Sequence, residues 1–398
     1  MLSISDPAPQ ARVSARGAQR WARGHPWIYR SDVLRFPDAE AGAVRVEGPA
    51  GDPLGWALWS PASKIALRWL AAAEADPAPP GAEFWRGRLE AAFRLRSSLS
   101  IDATAYRLVH AEADGLPSVV ADRYGEVVVL QTLSAGAERY RDAIADALEA
   151  CLRPRGILAR NDPPVRAREG LPRETLTLRG DVPRELEVRE GAIRYIADLH
   201  GGQKTGAFLD QRVNRAAVGV LARGRALDAF SYQGSFALHL AAGGAREVVA
   251  VDSSAPALER ARENAALNGF ADVIRTREEN VFDFLRAEWE RGARYDTIVL
   301  DPPAFAKTRR ALPKAVAAYK EINLRSLQLL APGGFLFSAS CSYHLRLPGF
   351  LEMIRSACAD CGRRVRRHAI LVQAPDHPEI PTIPETAYLK GVLLQVLD

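Results

Sequence analysis

Long apolar runs are absent from this sequence. No stretch approaches the roughly 18 consecutive apolar residues that a membrane span needs, and residues 1–17 contain no apolar signal core. The sequence therefore predicts a cytoplasmic protein without a membrane partner. Its hydrophobic share of 47% and charged share of 25% are ordinary for a globular protein, and 398 residues predict two or three domains.

Cysteine is scarce as well. Four cysteines are too few and too scattered for a disulfide framework; they are Cys151, Cys341, Cys358 and Cys361. Cys358 and Cys361 form a lone C-x-x-C without a second pair or a histidine at ligand spacing, so helix packing is favoured over a zinc site. No metal site is predicted.

Lysine supplies only six of the 53 basic residues. Arginine is the better bidentate phosphate ligand, but arginine spread along the whole chain is explained more simply by genomic base composition. The net charge of +5 permits an RNA partner without requiring one. Local density is more informative, because residues 1–37 hold six arginines against two acids, interleaved with Trp21, Trp27 and Tyr29. That mixture suits RNA contact, although packing of the aromatics in a small β core is the simpler interpretation.

Glycine is sparse where a dinucleotide site would need it. Residues 226–252 have the pattern of a strand, a turn over 228–235, a helix and a second strand ending in Asp252, which is typical of a nucleotide-binding α/β unit. Only Gly234 falls where G-x-G-x-x-G places three glycines, so a pyrophosphate ligand is disfavoured. S-adenosyl-L-methionine carries no phosphate and is therefore favoured over NAD, with Asp252 expected to reach the ribose hydroxyls. An α/β core without a ligand stays open.

The remaining chain divides into three parts. Short strands in AVRVEG, GWALWS and KIALRWL predict a compact β barrel, and residues 71–81 have the composition of a linker. A helix from Phe84, strands, the helix AERYRDAIADALEACL and the strand GILARN predict a small α+β domain ending near Glu185. The run NDPPVRAREGLPRE is expected to be a loop, and a role of its arginines in RNA contact stays open, because nothing in the sequence argues for it. The predicted domains are residues 1–75, 76–185 and 186–398.

The loop over residues 200–215, HGGQKTGAFLDQRVNR, precedes the nucleotide unit and is dense in glycine and polar residues. Its polar residues can simply cap the following helix, but their density favours a role in the cofactor site. The candidate cofactor-binding residues are Thr205, Phe208, Asp210, Gln211, Arg212, Asp228, Phe230, Ser231, Tyr232, Gly234, Asp252, Ser253, Asn280, Asp301 and Pro302.

Two strand ends further along carry reactive groups. The apolar strand YDTIVL delivers Asp301, Pro302 and Pro303, where two prolines leave carbonyls and a carboxylate as rigid acceptors for an exocyclic amino group. The strand GFLFSAS delivers Cys341 to the same predicted edge. A thiolate that adds to carbon 6 of a pyrimidine makes carbon 5 nucleophilic enough to attack a sulfonium methyl group. Asp301 and Cys341 are therefore the candidate catalytic residues.

Two other functions stay open. Asp-Pro-Pro followed by an aromatic also occurs in enzymes that methylate amino groups of adenine or guanine, although Ala304 here separates the prolines from Phe305 and that chemistry does not use Cys341. A non-catalytic RNA-binding protein would need only the basic N-terminal region.

The chain resembles the bacterial 23S ribosomal RNA cytosine-5 methyltransferase I family over nearly its whole length. The resemblance is carried by HPWIYRSDV, SPASKI, AEADGLPSVVADRYG, LQTLSAGAE, KTGAFLDQR, FSYQGSFALHLAAGGAREVVAVDSS, DPPAF, FSASCS and DHPEIPTIPETAYLKG. It implies a PUA domain, then a central domain of two strands, a helix and two strands, then a seven-stranded Rossmann-like methyltransferase domain.

For individual residues, the resemblance implies that Asp252 binds ribose, Asp301 recognises the base and Cys341 is the nucleophile. It also implies 23S ribosomal RNA as the partner, and a homodimer stays open. Asn280 stands where the family leads us to expect aspartate, and Ala304 stands where a larger, often basic residue is expected.

Overall fold

The computed structural model describes residues 8–73, 79–306 and 308–398, which form two compact units. The first unit contains the described residues up to Leu186, together with Ala197–Ala207 and Pro375–Thr386. The second unit contains Glu187–Ile196, Phe208–Ala374 and Ala387–Asp398. Among the described residues, no helix is long and apolar enough to cross a bilayer.

The first unit begins with a six-stranded sheet and one helix. These elements are β1 (Gln10–Val13), α1 (Ala15–Ala22), β2 (Trp27–Tyr29), β3 (Val33–Arg35), β4 (Gly42–Glu47), β5 (Pro53–Trp59) and β6 (Ile65–Ala72). The strand order is β2-β6-β5-β4-β1-β3, with β1 parallel to β4 and the other pairs antiparallel. The expected small β domain is therefore present. Of the expected linker, residues 74–78 lie outside the described part of the chain.

Helix α1 lies within the basic N-terminal stretch and was not expected from the sequence. The Ser14 hydroxyl caps it by accepting a hydrogen bond from the Gly17 N–H. Trp21, Trp27 and Tyr29 are all half-buried, and the Trp27 indole N–H donates to Glu112 at 2.9 Å. The aromatics of this stretch therefore contribute to packing.

The first unit continues with a five-stranded sheet and its helices. The elements are α2 (Ala82–Ser98), β7 (Ala105–His110), β8 (Val119–Tyr124), β9 (Val127–Thr132), α3 (Ala135–Glu138), α4 (Arg141–Leu152), β10 (Gly156–Asn161), α5 (Val165–Arg168) and β11 (Glu174–Gly180). The order is β11-β10-β9-β8-β7. The hairpin of β12 (Glu185–Glu190) and β13 (Ile193–Asp198) comes next along the chain, and its residues Glu187–Ile196 belong to the second unit.

The predicted loop over residues 161–174 differs from the structure. Asn161 ends β10, residues 165–168 form α5, and Arg166 is fully buried. The Arg166 guanidinium donates to the Thr132 carbonyl and to the Glu138 carboxylate, the latter at 2.7 Å. Arg166 is therefore a structural cation and is not available to RNA.

The second unit contains a seven-stranded sheet. Its elements are α6 (Arg212–Gly219), β14 (Gly224–Ala229), α7 (Ser235–Ala242), β15 (Ala245–Asp252), α8 (Ala255–Leu267), β16 (Ile274–Glu278), α9 (Val281–Glu290), β17 (Tyr295–Leu300), α10 (Leu312–Leu329), β18 (Leu330–Ser340), α11 (Leu347–Asp360), β19 (Val365–Val372) and β20 (Lys390–Val396). The order is β16-β15-β14-β17-β18-β20-β19. The first five strands are parallel, and β20 is antiparallel to both of its neighbours.

The strands of this sheet are apolar because helices cover them. Alternate residues of the central strands, including Leu227, Val251 and Leu300, pack against α9, α10 and α11 in one buried cluster. The two cysteines of the C-x-x-C motif belong to the same packing, with Cys361 buried in the cluster and Cys358 against it. Strand β14 extends to Ala229, so Asp228 lies inside the strand and not in the turn, contrary to expectation.

Candidate functional site

The carboxyl ends of four neighbouring parallel strands carry most of the predicted site residues. Asp252 ends β15, Asp228 lies near the end of β14, Asp301 follows β17 and Cys341 follows β18. The register pairs Asp228 with Ala250 and Val299, and Leu300 with Ser338. The direction of parallel strands therefore brings three carboxylates and one thiol to one edge of the sheet, at the point where the strand order reverses.

The turn after β14 has unusual backbone geometry. Phe230, Tyr232 and Gly234 have φ values of +65°, +50° and +80°, a region that costs non-glycine residues energy and that clusters at functional sites. The Ser231 N–H donates to the Val251 carbonyl, which ties the turn to β15. A Cβ on Gly234 would lie 3.1 Å from the Ala261 Cβ, so α8 also restricts this position to glycine. The turn is held in one shape before any ligand binds.

Asp228 is buried beneath this turn. One of its oxygens accepts a hydrogen bond from the Ala237 N–H at 2.8 Å, near the start of α7. Burial raises the pKa of Asp228 well above its usual range, and the neighbouring Asp301 and Asp252 carboxylates raise it further. Within the described residues, the other Asp228 oxygen and the buried Ser231 hydroxyl have no hydrogen-bond partner. A cluster of acids with unused acceptors fits a ligand that carries positive charge, such as the sulfonium and ammonium groups of S-adenosyl-L-methionine.

Asp252 is bonded to the same turn. Its two oxygens accept hydrogen bonds from the Tyr232 and Ser254 N–H groups at 2.8 and 2.9 Å. Each carboxylate oxygen has a second lone-pair direction, so contact with a ribose hydroxyl stays compatible with these bonds. Ser253 next to it is exposed.

Asn280 begins the helix after β16. Its side-chain oxygen accepts a hydrogen bond from the Phe282 N–H at 2.9 Å and caps α9, and the residue is exposed. This capping role is common for asparagine. Contact between Asn280 and adenine stays a prediction.

The polar residues of the loop before α6 form hydrogen bonds with α6 and with the segment before β20. The Asp210 carboxylate accepts a hydrogen bond from the Tyr388 hydroxyl at 2.7 Å, and Gln211 accepts from the Asn214 amide at 2.6 Å. The Phe208 ring meets the Tyr232 ring edge-on, with centroids 5.5 Å apart. Arg212 is buried at the start of α6. Phe208 of this loop thus contacts the turn after β14, and Asp210 is bonded to the segment before β20.

Thr205 is a residue of the first unit. It is buried, and its hydroxyl donates to Asp122 at 2.7 Å and lies 3.0 Å from the Tyr124 hydroxyl. These bonds give Thr205 a structural role within that unit. Its cofactor role stays a prediction.

Tyr319 connects the two catalytic candidates, and no pattern in the sequence revealed it. Its buried hydroxyl lies 3.0 Å from the hydroxyls of both Ser340 and Ser342, the neighbours of half-buried Cys341. Ser342 also accepts a hydrogen bond from the Ala306 N–H, in the segment after half-buried Asp301 and buried Pro302. The Phe305 ring packs 4.6 Å from the Tyr319 ring. One hydroxyl on α10 thereby fixes the Cys341 turn to the segment that follows Asp301.

Lys390 is the second residue that the sequence did not reveal. It begins β20 opposite Ser340, is 5% exposed, and its ammonium donates to the Ser342 and Tyr388 carbonyls at 2.8 and 3.0 Å. A buried cation therefore lies beside the turn that carries Cys341.

Comparison with known proteins identifies what this arrangement resembles. A model described as S-adenosylmethionine-dependent methyltransferase matches residues 166–395, and a PUA-like domain model matches residues 11–72. The chain is 38% identical to Ribosomal RNA large subunit methyltransferase I of Alteromonas mediterranea, over 94% of this chain and 96% of that protein. It is 39% identical to the protein of the same name from Salmonella arizonae, over 98% of each.

Solved structures share the fold. A Streptococcus mutans protein classed as a SAM-dependent methyltransferase superposes with a TM-score of 0.82 at 20% identity, over 97% of this chain and 100% of that chain. A second protein, classed as a methyltransferase and complexed with SAH, gives a TM-score of 0.84 at 20% identity with the same coverage. The expected PUA-like β domain, the Rossmann-like C-terminal domain and the S-adenosyl-L-methionine cofactor are confirmed.

Proposed function

Since the chain belongs to the ribosomal RNA large subunit methyltransferase I family of S-adenosylmethionine-dependent enzymes, we propose that it makes 5-methylcytosine in 23S ribosomal RNA through Cys341. The observation that carries the proposal is the position of Cys341 and Asp301 after two adjacent parallel strands, beside the three-carboxylate cluster. A thiol is needed for carbon 5 chemistry and has no role in methylation of an amino group.

The proposed reaction assigns a role to each group. The Cys341 thiolate adds to cytosine carbon 6, and the electron pair of the 5,6 double bond becomes available at carbon 5. S-adenosyl-L-methionine, when bound, would supply the methyl group that carbon 5 attacks, and S-adenosyl-L-homocysteine would be the leaving group. A base then removes the carbon 5 proton, the double bond re-forms and the thiolate leaves. Asp301 accepts a hydrogen bond from the exocyclic amino group of cytosine and so orients the base for the attack by Cys341.

RNA binding is assigned to the PUA-like domain. Its exposed arginines include Arg16, with 68% of the side chain exposed, and Arg35, with 54% exposed. Cations on a surface attract RNA phosphates through release of counterions. Because bacterial ribosomal RNA is found in the cytoplasm, the proposed function places the protein's action there.

Trapping with a fluorinated base tests the proposal. RNA with 5-fluorocytosine at the target should form a covalent complex only when S-adenosyl-L-methionine is present. After methyl transfer, fluorine cannot leave carbon 5 as a proton does, so Cys341 stays bonded to the base. Cys341→Ala should abolish the complex and the methylation while cofactor affinity stays near the wild-type value. Cys151→Ala is the matched control and should behave as wild type. Normal methylation by Cys341→Ala would reject the carbon 5 mechanism and support methylation of an amino group at Asp301, Pro302 and Pro303.

A further inference from the structure

Lys390 is an unusual lysine because its charged end is inside the protein. The residue is 5% exposed, and two of its three N–H groups donate to the Ser342 and Tyr388 carbonyls. Among the described residues, no carboxylate lies within 4 Å of its nitrogen to form an ion pair. Lysine rarely occurs fully buried unless it is paired with an opposite charge, and burial of an unpaired ammonium is costly. The third N–H group therefore calls for a negatively charged partner.

Cys341 is the group at the right place to provide that charge. The Lys390 nitrogen binds the carbonyl of Ser342, the residue directly after Cys341, and the Lys390 backbone pairs with Ser340, the residue directly before it. Lys390 is thus joined to both residues that flank the thiol, to Ser340 through its backbone and to Ser342 through its ammonium. Tyr319 fixes the same turn through the two serine hydroxyls, so the turn cannot easily move away from Lys390.

We propose, on the basis of the function proposed above, that Lys390 and Cys341 form a buried ammonium–thiolate pair that prepares Cys341 for attack on the base. In forming the pair, the S–H bond of Cys341 breaks and its proton forms an N–H bond on the neutral Lys390 amine. No other reactant is needed. Lys390 is a positioning residue, because it acts on the base only through Cys341.

The electrostatics of the two groups support the pair. Burial lowers the pKa of Lys390 to about 8, and the nearby Cys341 raises it. A free thiol has a pKa of about 8.5, so the Lys390 amine is close enough in basicity to take up a thiol proton. The other titratable groups on the flanking elements are Tyr319 on α10, Tyr388 before β20, Asp301 after β17 and His344 after β18. Burial raises the pKa of Tyr319, which keeps that phenol neutral.

The pH dependence of Cys341 alkylation measures the pair directly. The free enzyme is treated with iodoacetamide from pH 5.5 to 10, and the Cys341 peptide is quantified by mass spectrometry with N-acetylcysteine as a reference thiol. The wild-type midpoint should lie below that of the reference. Lys390→Gln keeps a hydrogen-bond donor for the carbonyls but removes the charge, so its midpoint should rise by a pH unit or more, equivalent to about tenfold slower alkylation at neutral pH. Lys390→Arg should retain most of the low midpoint.

Each outcome either supports or overturns the ammonium–thiolate pair of Lys390 and Cys341. A wild-type midpoint at or above that of N-acetylcysteine would overturn the pair, even if no variant folds. A Lys390→Gln midpoint equal to wild type would also overturn it and would point to another cationic group, such as His344 after β18. A purely structural role for Lys390 would change alkylation by the same factor at every pH. Because the assay uses neither RNA nor S-adenosyl-L-methionine, failure of the methylation proposal leaves its result unchanged and is seen separately in the Cys341→Ala assay.

Discussion

Among single residues, Asp252 has both a structural role and a predicted ligand contact in the candidate site. Its carboxylate orders the strained turn through the Tyr232 N–H and begins the next helical segment through the Ser254 N–H. The same carboxylate is the predicted partner of the ribose. Loss of Asp252 should therefore remove a ligand contact and loosen the surface that the ligand binds.

Asp252→Ala is expected to weaken S-adenosyl-L-methionine binding by more than about 1.5 kcal/mol, because hydrogen bonds to a charged group are worth about 1.5–3 kcal/mol. Isothermal titration calorimetry measures this change. Asp296→Ala is the matched control: Asp296 also accepts a backbone hydrogen bond, from the Arg225 N–H, but at the opposite end of the sheet. It should lower stability without changing cofactor affinity. Equal affinities of wild type and Asp252→Ala would remove Asp252 from the site.

Asn280→Asp should preserve or tighten cofactor binding, because aspartate caps a helix as well as asparagine does and accepts more strongly from an adenine amino group. Asn280→Ala should lose about 1 kcal/mol of stability through loss of the Phe282 N–H bond. Calorimetry for binding and thermal unfolding for stability separate the two effects. If Asn280→Asp binds the cofactor much more weakly than wild type, Asn280 does not contact adenine.

Three of the site residues predicted from the sequence share one property. Asp252, Asp301 and Cys341 each follow an apolar run, and parallel strands bring such positions to one edge without further information. Lys390 and Tyr319 could not be found in that way. Lys390 begins an antiparallel strand whose neighbours in the sheet are distant in sequence, and Tyr319 lies on a helix where its spacing is that of an ordinary core residue.

At the scale of elements, helix α10 holds the turn that carries Cys341. It packs against the sheet through Tyr319 and Ile322, and the Tyr319 hydroxyl reaches past the core to Ser340 and Ser342. A helix thereby sets the position of a thiol that belongs to a different element. Burial and these hydrogen bonds make the arrangement rigid.

Tyr319→Phe should destabilise the protein by about 1–3 kcal/mol, because two buried serine hydroxyls lose a partner. It should also reduce methylation about tenfold or more, since a small displacement of a reacting group is costly. Tyr295→Phe is the control, because it removes a buried hydrogen bond to Glu288 at the amino end of β17. Initial rates per folded enzyme should fall only for Tyr319→Phe. Equal rates for the two variants would mean that the Cys341 turn needs no support from α10.

Elements with strong apolar periodicity were predictable, whereas α1 and α5 were not. In both, arginines make the segment look solvent-exposed, yet Arg166 is buried by bonds to the Thr132 carbonyl and the Glu138 carboxylate, residues distant in sequence. Such partners are set by the tertiary fold. A local pattern cannot supply them.

At the scale of the whole molecule, the N-terminal sheet and α2 of the first unit share one buried cluster. Trp56, Leu58 and Leu70 of the N-terminal sheet pack in the same cluster as Trp85 and Leu89 of α2. Deletion of the PUA-like domain would expose large apolar surfaces. Its RNA role is therefore better tested with surface substitutions than with a truncation.

Arg23→Ala combined with Arg35→Ala should weaken binding of ribosomal RNA and reduce the slope of log affinity against log salt by roughly 0.7–0.9 for each phosphate that the variant no longer neutralises. Cofactor affinity should not change. Arg246→Ala is the control, because Arg246 is exposed near the amino end of β15. Filter binding at several salt concentrations gives the slopes. A double variant with the wild-type slope would assign RNA binding to another surface.

The insertion of β20 between β18 and β19 sets the order in which the sheet can be completed during synthesis. Strand β19 is made before β20 but reaches the sheet only by pairing with it. While β20 is still inside the ribosome, the outer edge of β18 is therefore unpaired and β19 cannot join the sheet. Lys390 cannot yet bond to the turn that carries Cys341. A nascent chain can pair the first five strands of this sheet early, but the contacts of Lys390 with Ser340 and Ser342 form only after β20 emerges.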